Sequence, residues 1–78
     1  MKLNVKVEIF KTYGKTTQAV AEYHLDNGFF NSYSIKFING RLSSDIDRFD
    51  IDEGDYVPAR IPDELAQAIQ DEYEKLTK

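Results

Sequence analysis

Cysteine is absent from this sequence of 78 residues, and no apolar run in it is long enough to cross a membrane. Without cysteine, neither a disulfide nor a thiolate metal site can stabilise the fold. A chain this short has room for one apolar core, which predicts a single domain over residues 1–78. The first residues alternate polar with apolar side chains, whereas a signal peptide has an unbroken apolar run. A cytoplasmic location without membrane insertion is therefore predicted.

The formal net charge of −4 is distributed unevenly along the chain. Residues 1–44 carry six Lys or Arg and three acids, whereas residues 45–78 carry eleven acids and four basic residues. Affinity for phosphate backbones comes largely from Lys and Arg, so an acidic protein is a poor general binder of nucleic acid. The charge therefore predicts a basic partner surface, and direct binding to nucleic acid is not expected.

The first half of the sequence shows the two-residue periodicity of half-buried strands. In the first three runs the apolar residues fall on odd positions, namely Leu3, Val5, Val7, Ile9, Ala19, Ala21, Tyr23, Leu25, Tyr33, Ile35 and Phe37. The pattern predicts strands that share one apolar face, at about 2–11, 15–25, 29–38 and 41–47.

Loop lengths decide how these strands pair, because a change of one residue reverses the face that a strand presents to the core. A three-residue loop at 12–14 pairs Val7 with Ala19 and keeps the odd faces of the first two strands together. A second three-residue loop, at 26–28, does the same for the next two strands.

The third turn is predicted from Asn39-Gly40, since both residues tolerate the positive φ of a type I′ turn. A tight two-residue turn there sets Phe37 opposite Leu42. The same register sets Tyr33 opposite Ile46.

The end of the sequence predicts one helix at about 62–76. Pro62 followed by two acids is typical of a helix start. Four apolar residues then recur at helical spacing, namely Leu65, Ile69, Tyr73 and Leu76. Residues 48–61 lack periodicity and predict an irregular crossing. The expected fold is α+β: a four-stranded antiparallel meander in the order 1-2-3-4, with the helix packed on one face.

Residues that could carry catalysis are scarce. The single histidine, His24, falls on an even position of the second strand, where a solvated strand histidine is expected. No glycine-rich phosphate loop occurs, and the serines are spread over exposed or edge positions. We therefore expect neither enzymatic activity nor a cofactor.

The densest feature of the sequence is a group of six acids among residues 45–55. A calcium loop begun at Asp50 would place Ile61 where the bidentate glutamate is required, so no metal site is predicted. One interpretation is a solvated edge that discourages strand addition. The other is a negative ridge that docks into a basic groove of a partner. The residues predicted to bind that partner are Asp45, Asp47, Phe49, Asp50, Asp52, Glu53 and Asp55.

The even positions of the predicted strands form the outer face of the sheet, where basic and apolar side chains are interleaved. Platforms for single-stranded nucleic acid use this combination, although Glu8 and Glu22 interrupt the positive charge. A protein contact near the Asn39-Gly40 turn explains the same residues equally well. The secondary surface predicted here consists of Phe10, Phe30, Lys36, Ile38 and Arg41, with Lys2 and Lys6 on the same face.

In size, acidity and lack of catalytic residues, the chain is similar to small phage-encoded inhibitors such as anti-CRISPR and anti-restriction proteins. The resemblance rests on composition, and it implies a non-enzymatic protein that occupies the basic groove of a nucleic-acid-acting host complex. The leading hypothesis is thus a small acidic module that binds a basic protein surface or a nucleic-acid-binding protein complex. The alternatives are a single-stranded nucleic-acid-binding domain that uses the outer face, and a structural subunit.

Overall fold

The computed structural model describes residues 3–77, which form an antiparallel sheet and one C-terminal helix. The elements are β1 (Asn4–Tyr13), β2 (Thr16–His24), β3 (Phe30–Ile38), β4 (Arg41–Leu42), β5 (Asp47–Asp50), β6 (Asp55–Pro58) and α1 (Asp63–Thr77). The strand order is β1-β2-β3-β5-β6, and β4 also pairs with β3. The α+β class is confirmed, whereas the prediction of four strands is wrong. Lys2, which was predicted to begin the first strand, lies outside the described residues.

The pairing of β2 with β3 follows the predicted three-residue loop at 26–28. The backbone N–H of Leu25 donates to the carbonyl of Phe29 at 2.8 Å, and Ala21 lies opposite Tyr33. Gly28 has a φ of 88°, a conformation in which a residue without Cβ avoids steric strain. The odd positions of both strands consequently face one core.

The first hairpin differs from its predicted register. Its turn consists of Gly14 and Lys15, and Val7 lies opposite Ala21 rather than Ala19. A two-residue turn alone would have reversed the faces, but Phe10 is an extra residue between Ile9 and Lys11 that has no partner in β2. This β-bulge restores the alternation, so the odd face of β1 before the bulge still meets the core.

The predicted fourth strand is broken in two. Phe37 lies opposite Leu42 as predicted, but Tyr33 lies opposite Arg48 rather than Ile46. Residues 43–46 leave the ladder, and Ile46 turns into the core, where it is buried. The connection contains two more residues than predicted. Because side chains alternate with a period of two, this shift of register does not change the face on which each residue lies.

The predicted irregular crossing at 48–61 is instead largely a β-hairpin. β5 and β6 pair so that Arg48 lies opposite Val57 and Phe49 lies opposite Tyr56. The turn at 51–54 is closed by the backbone N–H of Gly54, which donates to the carbonyl of Asp50 at 2.8 Å. The two strands have four residues each and bury little apolar surface. Because they consist largely of polar residues and end at a proline, the sequence shows no two-residue apolar period here.

The helix covers the odd face of the sheet and closes the core. Leu65, Ile69 and Tyr73 are buried as predicted, whereas Leu76 is exposed and does not belong to the apolar stripe. The ring of Tyr73 stacks on that of Phe37 with the centroids 3.9 Å apart. The cluster is completed by Val5, Ala19, Ala21, Tyr33, Ile35 and Ile46. α1 is neither long nor apolar enough to span a membrane.

The Gln70 side chain links the helix to the Asn39-Gly40 turn through hydrogen bonds. Gln70 accepts a hydrogen bond from the backbone N–H of Leu42 at 2.8 Å and donates one to the carbonyl of Gly40 at 2.7 Å. Asn39 and Gly40 have φ values of 54° and 80°, as expected for the predicted type I′ turn. Gln70 thus connects the helix to backbone groups at this two-residue turn.

The two edges of the sheet differ in length and in composition. β1 has ten residues, whereas β6 has four and ends at Pro58. The N–H of Ala59 donates to Ile46, so the preceding position, Pro58, faces away from β5. The β6 edge consequently lacks a donor at the position where an added strand would need one.

Candidate functional site

Six of the seven predicted partner-binding residues lie on one element, the hairpin of β5 and β6, called the acidic hairpin below. Asp47, Phe49 and Asp50 belong to β5, and Asp55 belongs to β6. The turn between them carries Asp52 and Glu53, both exposed. Asp45 lies just before the hairpin, where its carboxylate is 3.5 Å from the Lys36 ammonium group. This arrangement concentrates carboxylates at one edge of the sheet.

Two of these acids build the hairpin itself. Asp50 Oδ1 accepts hydrogen bonds from the backbone N–H groups of Asp52 at 2.9 Å and Glu53 at 3.4 Å, which orders the turn. Asp55 Oδ1 accepts from the N–H of Tyr56 at 2.7 Å. The side chains of Asp52 and Glu53 take no part in these turn contacts, so their charges remain available to a partner.

An apolar groove adjoins the acidic hairpin, between the start of β3 and the turn at 51–54. This aromatic groove has a volume of about 610 Å³ and is lined by residues 28–32 and 48–52. Phe29 is 70% exposed and Ile51 is 86% exposed, while Phe30 and Phe49 are partly covered. Two acids, Asp50 and Asp52, and one cation, Arg48, also line it, so apolar surface and a net negative charge share one site.

The aromatic rings at this site are held by contacts with their neighbours. The rings of Phe49 and Tyr56 meet edge to face across the hairpin, with centroids 5.4 Å apart. Phe30 stacks on His24 at 5.3 Å, and His24 Nε2 lies 3.1 Å from a Glu22 carboxylate oxygen. His24, the histidine of the chain, therefore supports the wall beside the groove.

The structure divides the predicted secondary surface. Phe30 belongs to the aromatic groove, whereas Ile38 and Arg41 pair with each other beside the Asn39-Gly40 turn, at the opposite end of β3. Phe10, which is 78% exposed, is the bulged residue of β1. Lys36 pairs with Asp45. Phe30 is thus separated from Ile38 and Arg41 by the length of β3.

The inner side of the acidic hairpin contacts a buried tyrosine. Arg48 lies opposite Tyr33 in the ladder between β3 and β5. Burial raises the pKa of the Tyr33 phenol above its usual value of 10.0, although the charge of Arg48 acts in the opposite direction. The phenol is protonated at neutral pH, so the group opposite Arg48 in the ladder is uncharged.

Neither Phe29 nor Ile51 was among the residues that the sequence predicted to bind a partner. Both are highly exposed at the groove. The available signal was Asp50 followed four residues later by Gly54, a turn bracketed by aromatic residues. Among residues 3–77, no group of three acidic or histidine side chains is placed to hold a metal ion.

Comparison with known proteins gives a negative result. No protein-family model matches the chain, and neither a curated protein nor a solved structure shows significant similarity to it.

Proposed function

We propose that this chain is a non-enzymatic protein-binding module that docks the aromatic groove and the acidic hairpin onto a basic protein surface. The observation that carries the proposal is the exposure of Phe29 and Ile51 in a groove that Asp50 and Asp52 also line. Exposed apolar patches rimmed by polar residues are typical of protein interaction sites. Such interfaces combine an apolar centre with a polar rim.

The charge of the rim determines the kind of partner. Carboxylates at the groove favour a surface that presents Lys or Arg around an apolar projection, because complementary potentials accelerate association and exclude wrong partners. A phosphate backbone would be repelled by the same groups. Lys36, one of the cations that a nucleic acid would need, already contacts Asp45.

In its more specific form, the proposal is that the module inhibits a nucleic-acid-acting complex by occupying a basic groove in the cytoplasm. Its support is the concentration of carboxylates on one hairpin, together with the resemblance in size and acidity to small phage-encoded inhibitors. This form predicts that DNA and the module compete for the captured partner.

The test uses two variants with the same net charge. Asp52→Lys/Glu53→Lys reverses the two turn acids without removing Asp50, which orders the turn. Glu64→Lys/Glu74→Lys reverses two exposed acids outside the acidic hairpin and the groove. Both double variants raise the formal net charge from −4 to zero, so a difference between them reports position rather than total charge. Phe29→Ser/Ile51→Ser tests the apolar part of the groove at two exposed positions.

Each immobilised protein is used to capture partners from a lysate of its source cells, and the captured proteins are quantified by mass spectrometry. We expect a basic partner that the Glu64/Glu74 variant retains and that the other two variants lose. Capture should weaken as salt rises, because exposed charges are screened beyond about 8–10 Å. The purified partner is then tested for competition with DNA.

The same capture experiment can also refute the proposal. If the Asp52/Glu53 variant retains every partner of the wild type, the acids form only a solvated edge and the proposal is wrong. Fluorescence anisotropy with a single-stranded DNA oligonucleotide tests the alternative. Salt-sensitive binding that Lys6→Ala/Lys36→Ala abolishes would replace the proposal with nucleic-acid recognition by the outer face.

A further inference from the structure

The β1 edge of the sheet carries hydrogen-bonding groups that no described strand satisfies. Leu25 donates to Phe29, so odd positions of β2 bond to β3 and even positions bond to β1. Even positions of β1, such as Lys6, therefore bond to β2. The backbone groups of Val5, Val7 and Ile9 consequently point away from the sheet, in position to pair with another strand.

The side chains along this edge have an ordered pattern of charge. Lys6 and Glu8 are exposed and lie on the outer face, on either side of Val7. Neither forms an ion pair with another residue in the described range 3–77. If a second β1 strand runs antiparallel with Val7 opposite its own copy, each Lys6 faces the Glu8 of the other chain. The edge is therefore complementary in charge to itself.

We propose that β1 is a self-association surface whose occupant is the β1 strand of a second copy, paired antiparallel about Val7. Val5 then faces Ile9 of the other chain, and both form hydrogen-bonded pairs, as Val7 does with its copy. Lys6 and Glu8 occupy non-hydrogen-bonded pairs, in which opposing side chains are closest. The two sheets become one continuous sheet with a two-fold axis.

The inner face of the edge is consistent with this register. Ile9 points to the core side of the sheet but is 37% exposed, whereas Val5 is buried beside the helix. The pairing brings Ile9 next to Val5 of the other copy and covers it. The bulge at Phe10 ends the regular part of β1, which limits the segment paired about Val7 to residues 5–9. A shift of the pairing by two residues in either direction would place Lys6 opposite Lys6 or Glu8 opposite Glu8, so the charges select this register.

Sedimentation velocity of the full chain, from micromolar to submillimolar concentration, tests the pairing through a charge exchange. Lys6→Glu and Glu8→Lys should each weaken dimerisation about tenfold, because two attractive pairs per dimer become repulsive. The double variant Lys6→Glu/Glu8→Lys should restore dimerisation, because opposite charges again face each other. Circular dichroism and the melting midpoint verify that each variant folds.

The net charge of the variants distinguishes the proposed register from general repulsion between acidic proteins. Glu8→Lys reduces the negative charge of the protein, so general repulsion alone would strengthen association, whereas the proposed register weakens it. Lys15→Glu, in the first turn, has the same net charge as Lys6→Glu and should leave association unchanged. A wild-type protein that stays monomeric throughout overturns the proposal. So does a dimer that the single variants do not weaken, or that the exchange does not restore.

This inference is independent of the proposed function, because β1 and the acidic hairpin occupy opposite edges of the sheet. The variants at Lys6 and Glu8 leave Asp52, Glu53 and the aromatic groove intact. A protein that does not dimerise would thus overturn this inference without contradicting partner binding by the acidic hairpin.

Discussion

Gln70 provides a sharp test of how the helix is held on the sheet. Its amide accepts from the backbone N–H of Leu42 and donates to the carbonyl of Gly40. Gln70→Ala removes both hydrogen bonds, each of which contributes about 0.5–1.5 kcal/mol net. We expect a loss of about 2 kcal/mol in the free energy of unfolding, which lowers the urea midpoint by roughly 1–2 M for a domain of this size.

A second substitution separates the hydrogen bonds from packing. Gln70→Glu keeps an acceptor for the N–H of Leu42 but places a carboxylate against the Gly40 carbonyl, where the donor nitrogen was 2.7 Å away. Protonation restores a donor there, so the folded state should raise the pKa of the introduced carboxyl. The loss of stability relative to wild type is therefore expected at neutral pH and should shrink as the pH falls toward about 4.3.

Urea titrations of the wild type, Gln70→Ala and Gln70→Glu at neutral and acidic pH measure both effects. Gln70→Met, which fills similar space without the amide, serves as the packing control. If Gln70→Glu unfolds at the wild-type midpoint at neutral pH, the contact with Gly40 contributes nothing and the helix is held by apolar packing alone.

Three further predictions concern the core, the buried phenol and the new hairpin. Ala19→Leu should cost about 1–3 kcal/mol by overpacking the face under the helix, and an unchanged denaturation midpoint would show spare space there. Because the pKa of Tyr33 is raised on folding, its contribution to stability is present below pH 10.0 and is lost as the pH rises above that value. Tyr33→Phe should reduce this alkaline loss in thermal melts, and an identical pH profile would refute the assignment. Gly54→Ala should cost about 1 kcal/mol, because Gly54 has a φ of 70°, and equal stability would mean that the turn relaxes.

The sequence predicts β2, β3 and the helix well because their apolar periodicity is strong. Each of these elements buries a continuous stripe, including Tyr33, Ile35 and Ile69, and a loop of the wrong length would have placed polar residues inside. The sequence therefore predicts which face of the sheet a residue lies on better than it predicts which residues pair across two strands. In the first hairpin, the bulge at Phe10 changes the pairing but leaves the same face inward before it.

The candidate site was less predictable, because its parts depend on tertiary contacts. The acids were visible in the sequence, but the hairpin that carries them buries too little apolar surface to show a period. Phe30 and Phe49 are nineteen positions apart, and nothing in the chain indicates that they line the same groove. Only the pairing of β5 beside β3 brings them together.

Pro58 on the β6 edge limits how far this sheet can grow. A pair joined through β1 has a β6 edge at each end, where the missing donor and the short strand oppose further addition. Growth by strand addition would stop at two copies and give a closed particle rather than a fibre. Such a particle carries an acidic hairpin at each extremity, so it could engage two basic sites of one assembly with the avidity of a bivalent ligand.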